Sequence, residues 1–220
     1  TIPSKVEDPW VSGGVPVVAA VETFSHNTTL QSVQFEPGVQ NLKWTFFDCP
    51  NLRSVGALPN TVTSMYGTFQ KCSGLANVPA IPGSVTEIPY VFAECTSLTV
   101  TPHLGDQIRS MYAAFANNPN LTTVTNIPVN LTDLAECFSG CTSLRGEIPL
   151  IPSSVTKMHG SFYHCDNAVV YIDNSASNVD HGVAFRGVNR EVEHYWLWDE
   201  WDWQYNGSNI DLIKYKGNQS

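Results

Sequence analysis

The segment that decides the fold is Thr68-Phe69-Gln70-Lys71-Cys72-Ser73-Gly74-Leu75, with its continuation Ala80-Ile81-Pro82-Gly83-Ser84-Val85-Thr86-Glu87-Ile88. It has an apolar or small residue at every third position, which suits neither a helix of period 3.6 nor a strand of period 2. A proline sits inside it, where it would interrupt either element. What fits is a coil that turns a corner every few residues and sends one side chain inward from each side.

Working outward, the same pattern recurs along the chain. Phe24, Phe46, Phe69, Phe92, Phe115, Phe138 and Phe162 are separated by 22, 23, 23, 23, 23 and 24 residues. Six positions after each stands Leu30, Leu52, Leu75, Leu98, Leu121, Leu144 and finally Ala168. Three further on come Val33, Val55, Val78 and Val124, with Thr101 and Glu147 departing from the rule. Leu58, Ile81, Leu104, Ile127 and Ile151 follow, most of them with a proline next. Each unit closes on a pair three apart, such as Val62/Met65, Val85/Ile88 or Ile108/Met111. One such unit cannot bury its own inward residues, whereas a stack of them shares a continuous core. Seven rungs joined by short parallel strands would measure roughly 34 Å. The fold expected is therefore a repeat solenoid of about seven 22–24-residue units, mainly β with short parallel strands.

The unit F-x-x-C-x-x-L-x-x-V-x-x-I-P-x-x-V-x-x-M resembles the BspA-like, or Treponema-type, leucine-rich repeat over about residues 23–170. That resemblance implies a leucine-rich-repeat solenoid of bacterial or protist surface proteins that bind host or matrix proteins. The first and seventh units depart from the pattern, as end units do; in the first, Glu36 stands where later units are apolar.

Five of the six cysteines share one repeat position: Cys49, Cys72, Cys95, Cys141 and Cys165, with Asn27 and Asn118 completing the row. Cys and Asn alternating at one site read as a structural ladder whose side chains hydrogen-bond to neighbouring backbone. Cys137 reads as a small core filler. His159, His164, Cys165 and Cys141 contain ligand types that zinc accepts, but their spacing matches no familiar zinc site. No metal or cofactor is expected.

The chain has 220 residues and 24.2 kDa, enough for one substantial core. Only 14% of residues are charged and the net charge is −9, which disfavours nucleic acid and anionic lipid as partners. No apolar run reaches the roughly 18–20 residues of a membrane span, so direct membrane insertion is not expected. The chain begins without Met and reads as a processed or excised piece. Nucleophile-elbow, zincin, P-loop and dinucleotide motifs are absent, and the solenoid's carboxylates fall on different repeat positions. The reading is of a protein that is not an enzyme.

Binding is expected on the polar face flanking the strands, at Asn77, Thr123 and Thr125, with Arg53 and Arg145 nearby. A second candidate is the run Tyr195–Tyr205, where Trp198, Trp201 and Trp203 accompany Asp199, Glu200 and Asp202. Exposed tryptophans beside carboxylates suit sugar faces or a partner subunit, and a β-rich cap over the open solenoid end is the plainer reading. The expected organisation is an arm with a capping strand at 17–21 within 1–22, a solenoid over 23–179, and a Trp-rich cap or docking segment over 180–220. Function divides between a recognition or adhesion module at a cell surface, with a protein or glycan partner, and a subunit of a larger assembly such as a virion.

Overall fold

In a computed structural model, residues 5–8, 11–16, 19–173 and 212–216 are described. They form a repeat solenoid with short parallel strands and, among the described residues, no helix. The phenylalanines are its spine. Phe24, Phe46, Phe69, Phe92, Phe115, Phe138 and Phe162 stack ring on ring, with centroids 5.5–5.7 Å apart and planes within 20° of parallel. Leu52, Leu75, Leu98, Leu121 and Leu144 and the pairs that close each unit fill the rest of the core.

Around each phenylalanine the backbone alternates in handedness. The residues two before it, from Glu22 and Trp44 to Gly160, and two after it, from His26 and Asp48 to His164, all have φ between 49° and 76°. Left-handed φ costs a non-glycine residue roughly 1–2 kcal/mol. It also flips every second peptide so that its N–H points along the stack. Trp44, Phe46 and Asp48 thus donate to the carbonyls of Tyr66, Thr68 and Gln70 at 2.9, 3.0 and 2.8 Å. The intervening N–H groups close tight turns, as Thr45 does on Leu42 and Phe47 on Trp44. These turns satisfy the backbone without helix or extended strand, as burial beside the core demands.

Strands survive only at the corners. β1 (Lys5–Asp8) and β2 (Val11–Pro16) pair antiparallel, β3 (Ser32–Val33) and β4 (Ser54–Val55) pair parallel, and β5 (Arg145–Ile151) pairs parallel with β6 (Asn167–Asp173). A second corner contributes single-residue parallel bridges, Ala19–Asn41–Ser64 and Glu87–Ser110–Asp133–Lys157. The last strand, β7 (Leu212–Lys216), returns antiparallel against β6, so the edge that β6 would leave open is paired over five residues. Within the described residues 19–21, Ala19 bridges to Asn41 and the Ala20 N–H donates to the Asn41 carbonyl at 2.9 Å, and the described arm strands lie earlier, at 5–8 and 11–16.

Three positions depart from the repeat pattern. Pro102, which strand alternation would turn outward, is buried beside Thr101, while Val100 is 45% exposed. Strand alternation fails there because the ladder shrinks to one bridge, Val100–Thr123. In the sixth unit Ile148, not Glu147, points inward. The 24-residue spacing holds one extra residue, absorbed as a register shift between Ile148 and Ile151, and Glu147 accepts the Tyr171 hydroxyl at 3.1 Å instead. In the first unit the apolar side chain missing at Glu36 is supplied by Phe35, whose ring meets Phe46 edge-on at 6.1 Å.

Candidate functional site

The ladder residues work inside the molecule. The thiols of Cys49, Cys72, Cys95, Cys141 and Cys165 donate to the carbonyls of Phe24, Phe46, Phe69, Phe115 and Phe138 at 3.0–3.2 Å. Asn118 takes that place with its amide nitrogen, 2.8 Å from the carbonyls of both Phe92 and Phe115. At the first rung Asn27 turns round and accepts from the N–H groups of Thr29 and Leu30, each at 2.9 Å. Burial raises the pKa of these thiols, to about 12 for Cys72 and Cys141 and well above the ordinary value for Cys95. They are neutral donors, with none of the thiolate character that nucleophiles and metal ligands need. Cys137 is fully buried, its pKa raised by desolvation too. His159 and His164 are exposed, the first 3.7 Å from Glu136 and the second against the Tyr163 ring. Among the described residues no group of three metal-ligand side chains converges.

Of the strand-face candidates, Asn77 and Thr123 are exposed. Thr125 is committed to its neighbours: its N–H donates to the Thr101 hydroxyl at 2.9 Å, and its hydroxyl donates to the Thr101 carbonyl. Arg53 and Arg145 occupy one repeat position four rungs apart, roughly 19 Å, so they are not one site. Trp198, Trp201 and Trp203 lie outside the described residues, in the stretch between β6 and β7.

The most continuous surface feature was not singled out from the sequence. One aromatic ring per rung runs along a flank: Trp44, Tyr66, Tyr90 and Tyr112, with centroid steps of 5.0, 5.7 and 5.2 Å. Phe47 stands edge-on to Trp44 at 5.2 Å and carries His26 on its other side at 5.1 Å. Three rings of the row are half-buried, and Tyr112 is 36% exposed. Lys43 sits 5.4 Å above Tyr66 and Lys71 5.6 Å above Phe47, close enough for cation–π attraction. The Tyr112 hydroxyl beside that of Tyr90, aided by partial burial, raises the Tyr90 pKa to about 12.

The row interlocks because its rings alternate between two positions. Trp44 and Tyr90 stand two residues before their phenylalanines, whereas Tyr66 and Tyr112 stand three before theirs. In the latter units the position two before is Gly67 or Ala113, small enough for the ring of the previous rung to lie over it. The signal was present as the pairs Tyr66-Gly67 and Tyr112-Ala113, but no single column of the repeat carries it. A neighbouring corner holds a shallow open groove between Asp48, Lys71, Glu94 and Asn117 on one side and Pro50, Ser73, Thr96 and Pro119 on the other. Its charges alternate in sign, with Lys71 between Asp48 and Glu94.

No curated protein matches the chain significantly. Among solved structures it is similar to the leucine-rich repeat protein TpLRR of T. pallidum, at 26% identity and TM-score 0.54, covering 71% of this chain and 74% of that one. It shares its fold with a leucine-rich repeat protein from Bacteroides ovatus ATCC 8483, at 18% identity and TM-score 0.54, covering 74% of this chain and 48% of that one. The BspA type leucine-rich repeat region matches in six copies over residues 20–110 and 67–189, more than half of the sequence. Proteins built on it are typically interaction or adhesion modules and generally non-catalytic. With its phenylalanine spine, thiol–asparagine ladder and turn-built rungs, this chain belongs to the BspA-type leucine-rich repeat family.

Proposed function

We propose that this chain is a non-catalytic recognition or adhesion module working outside a cell, holding a protein or glycan partner against its solenoid. The observation that carries the reading is the continuous row Trp44–Tyr66–Tyr90–Tyr112, presented by a backbone hydrogen-bonded from rung to rung. Partly exposed aromatic rings with polar tips, fixed in place by the scaffold beneath, are the side chains that dominate recognition surfaces. The side chains capable of chemistry point elsewhere: buried thiols are held as donors, and the carboxylates fall on different repeat positions. Asn77 and Thr123 on the strand face, with Arg53 and Arg145, and the segment of Trp198, Trp201 and Trp203 between β6 and β7, are further candidate surfaces. In this reading residues 1–22 and 180–220 flank the recognition solenoid of 23–179. Among the described residues no helix is long and apolar enough to cross a membrane.

The test is saturable binding of the purified full chain to panels of immobilised glycans and of matrix and cell-surface proteins, with its mass in solution measured in parallel. Saturable, competable binding by a monomer is the expected result. A chain that binds nothing on either panel but assembles into a defined multimer through its ends overturns the reading in favour of an assembly subunit.

A further inference from the structure

We infer that Tyr90 and Tyr112 form a site of oxidative modification, where one-electron oxidation joins their rings by a carbon–carbon bond into a dityrosine that staples two neighbouring rungs. The inference goes beyond the recognition reading and holds whichever partner the solenoid takes.

Contact selects the pair. Tyr90 and Tyr112 stand with ring centroids 5.2 Å apart and planes inclined by 85°. The Tyr112 hydroxyl lies beside that of Tyr90, so the ring carbons ortho to the two oxygens meet at the same contact. Those carbons share the unpaired electron of a phenoxyl radical, and they are where two such radicals couple. Rings joined there are twisted about the new bond, so an edge-on pair is nearer the product than a face-to-face stack. Tyr112 is 36% exposed and has room to close the remaining gap. Tyr66, next in the row, is farther from Tyr90 at 5.7 Å and lies under the Lys43 ammonium.

The charges along the row point the same way. An electron lost from Trp44 or Tyr66 is replaced from the next ring, because the row is unbroken at steps of 5.0, 5.7 and 5.2 Å. The positive site so created is repelled by Lys43, 5.4 Å from the Tyr66 ring centroid, and by Lys71 over Phe47. It is drawn toward the Glu136 carboxylate, whose field reaches Tyr90. Oxidation that begins on the row thus settles on Tyr90 and Tyr112.

The chemistry balances with hydrogen peroxide as the oxidant, activated by a haem peroxidase. Each tyrosine gives up one electron to the peroxidase and its hydroxyl proton to water. The two phenoxyls then form one bond between ortho carbons, and the hydrogens displaced from those carbons move to the oxygens and restore both phenols. One peroxide takes up the two electrons and two protons and leaves as two waters. The new bond closes a loop between rungs and constrains the unfolded chain, as a disulfide does.

The experiment treats the dilute, purified full chain with hydrogen peroxide and a haem peroxidase. It follows the blue fluorescence of dityrosine, with mass spectrometry of the intact chain and of its peptides. The expected product is a monomer lighter by two hydrogens, with the peptides of Tyr90 and Tyr112 linked. Tyr90→Phe and Tyr112→Phe, which keep both rings, should each abolish that product, whereas Tyr66→Phe should keep it. Thermal unfolding confirms that the variants fold, and the linked peptides of the parent chain stand without them. Links formed only between molecules, or only at other tyrosines, overturn the inference, as does a linked monomer that survives Tyr112→Phe.

Discussion

The indole of Trp44 lies over the backbone of Gly67, so close that a Cβ built on that glycine would stand 2.2 Å from two of its ring carbons. Gly67 also has φ +59, where a side chain is strained. The two residues are therefore one device, a ring from one rung seated in the missing side chain of the next. Gly67→Ala should cost about 1–3 kcal/mol in a denaturant titration. In Trp44→Ala the added methyl should cost much less, because only the φ strain remains, and the double-mutant cycle should show clear coupling. Gly83→Ala, with open space around its Cβ, should be neutral or slightly stabilising. Equal losses at positions 67 and 83 would show that Trp44 does not sit on Gly67.

The facing of the core makes a sharper contrast. Leu98 is fully buried in the middle of the stack, and Thr123 is exposed on the strand side. Leu98→Ala should lower stability by about 2–5 kcal/mol through lost burial and the cavity left behind. Thr123→Ala, which uncovers nothing, should leave the unfolding midpoint within error of the parent. Equal midpoints for the two variants would contradict the assigned facing.

What could be read in the sequence was what repeats in a single column. Phe69, Cys72, Leu75, Val85 and Ile88 each stand in a column that recurs from rung to rung, so stack, ladder and core were legible together. Glu147 and Pro102 break the column pattern for local reasons: the sixth unit holds an extra residue, with a register shift between Ile148 and Ile151, and the strand around Thr101 shrinks to a single bridge. The rings of the flank were hidden more thoroughly. Trp44 and Tyr66 sit at different offsets from their phenylalanines, so a period-based alignment places them in separate columns, although in space their centroids are 5.0 Å apart. The alternating φ that brings them together leaves no residue preference behind, since Glu, Trp, Tyr, Ala and Gly all occupy the left-handed site before the phenylalanine.

The thiol ladder predicts an alkaline limit to stability. In the folded chain the pKa of Cys95 is raised well above that of an ordinary thiol, chiefly because burial penalises the thiolate. A raised folded pKa means that the stabilisation is fully present below the unfolded thiol's pKa, about 8.5, and is lost as pH climbs through the alkaline range towards the folded value. Cys95→Ala lacks that titration. The stability gap between wild type and Cys95→Ala should thus be widest near neutral pH and narrow above about pH 9, where the unfolded wild type gains thiolate. Denaturant midpoints at a series of pH values measure it. A gap that stays constant up to strongly alkaline pH would mean that the thiol is not protected by burial.

Tyr90 offers a second titration with a different cause. Its pKa is raised to about 12, first by its hydrogen bond to Tyr112 and then by partial burial. A proton shared toward the Tyr112 hydroxyl is harder to lose, because ionising Tyr90 gives up that interaction between two neighbouring rungs. In Tyr112→Phe the ring remains, 36% exposed in the parent, but the acceptor is gone. The Tyr90 titration should then move down, toward the ordinary tyrosine value of about 10, while the unfolding midpoint at neutral pH changes little. Carbon NMR of ring-labelled tyrosine, assigned through Tyr90→Phe, reads that shift directly. An unchanged Tyr90 titration in Tyr112→Phe would show that the two hydroxyls are not bonded and that the row is held by ring contacts alone.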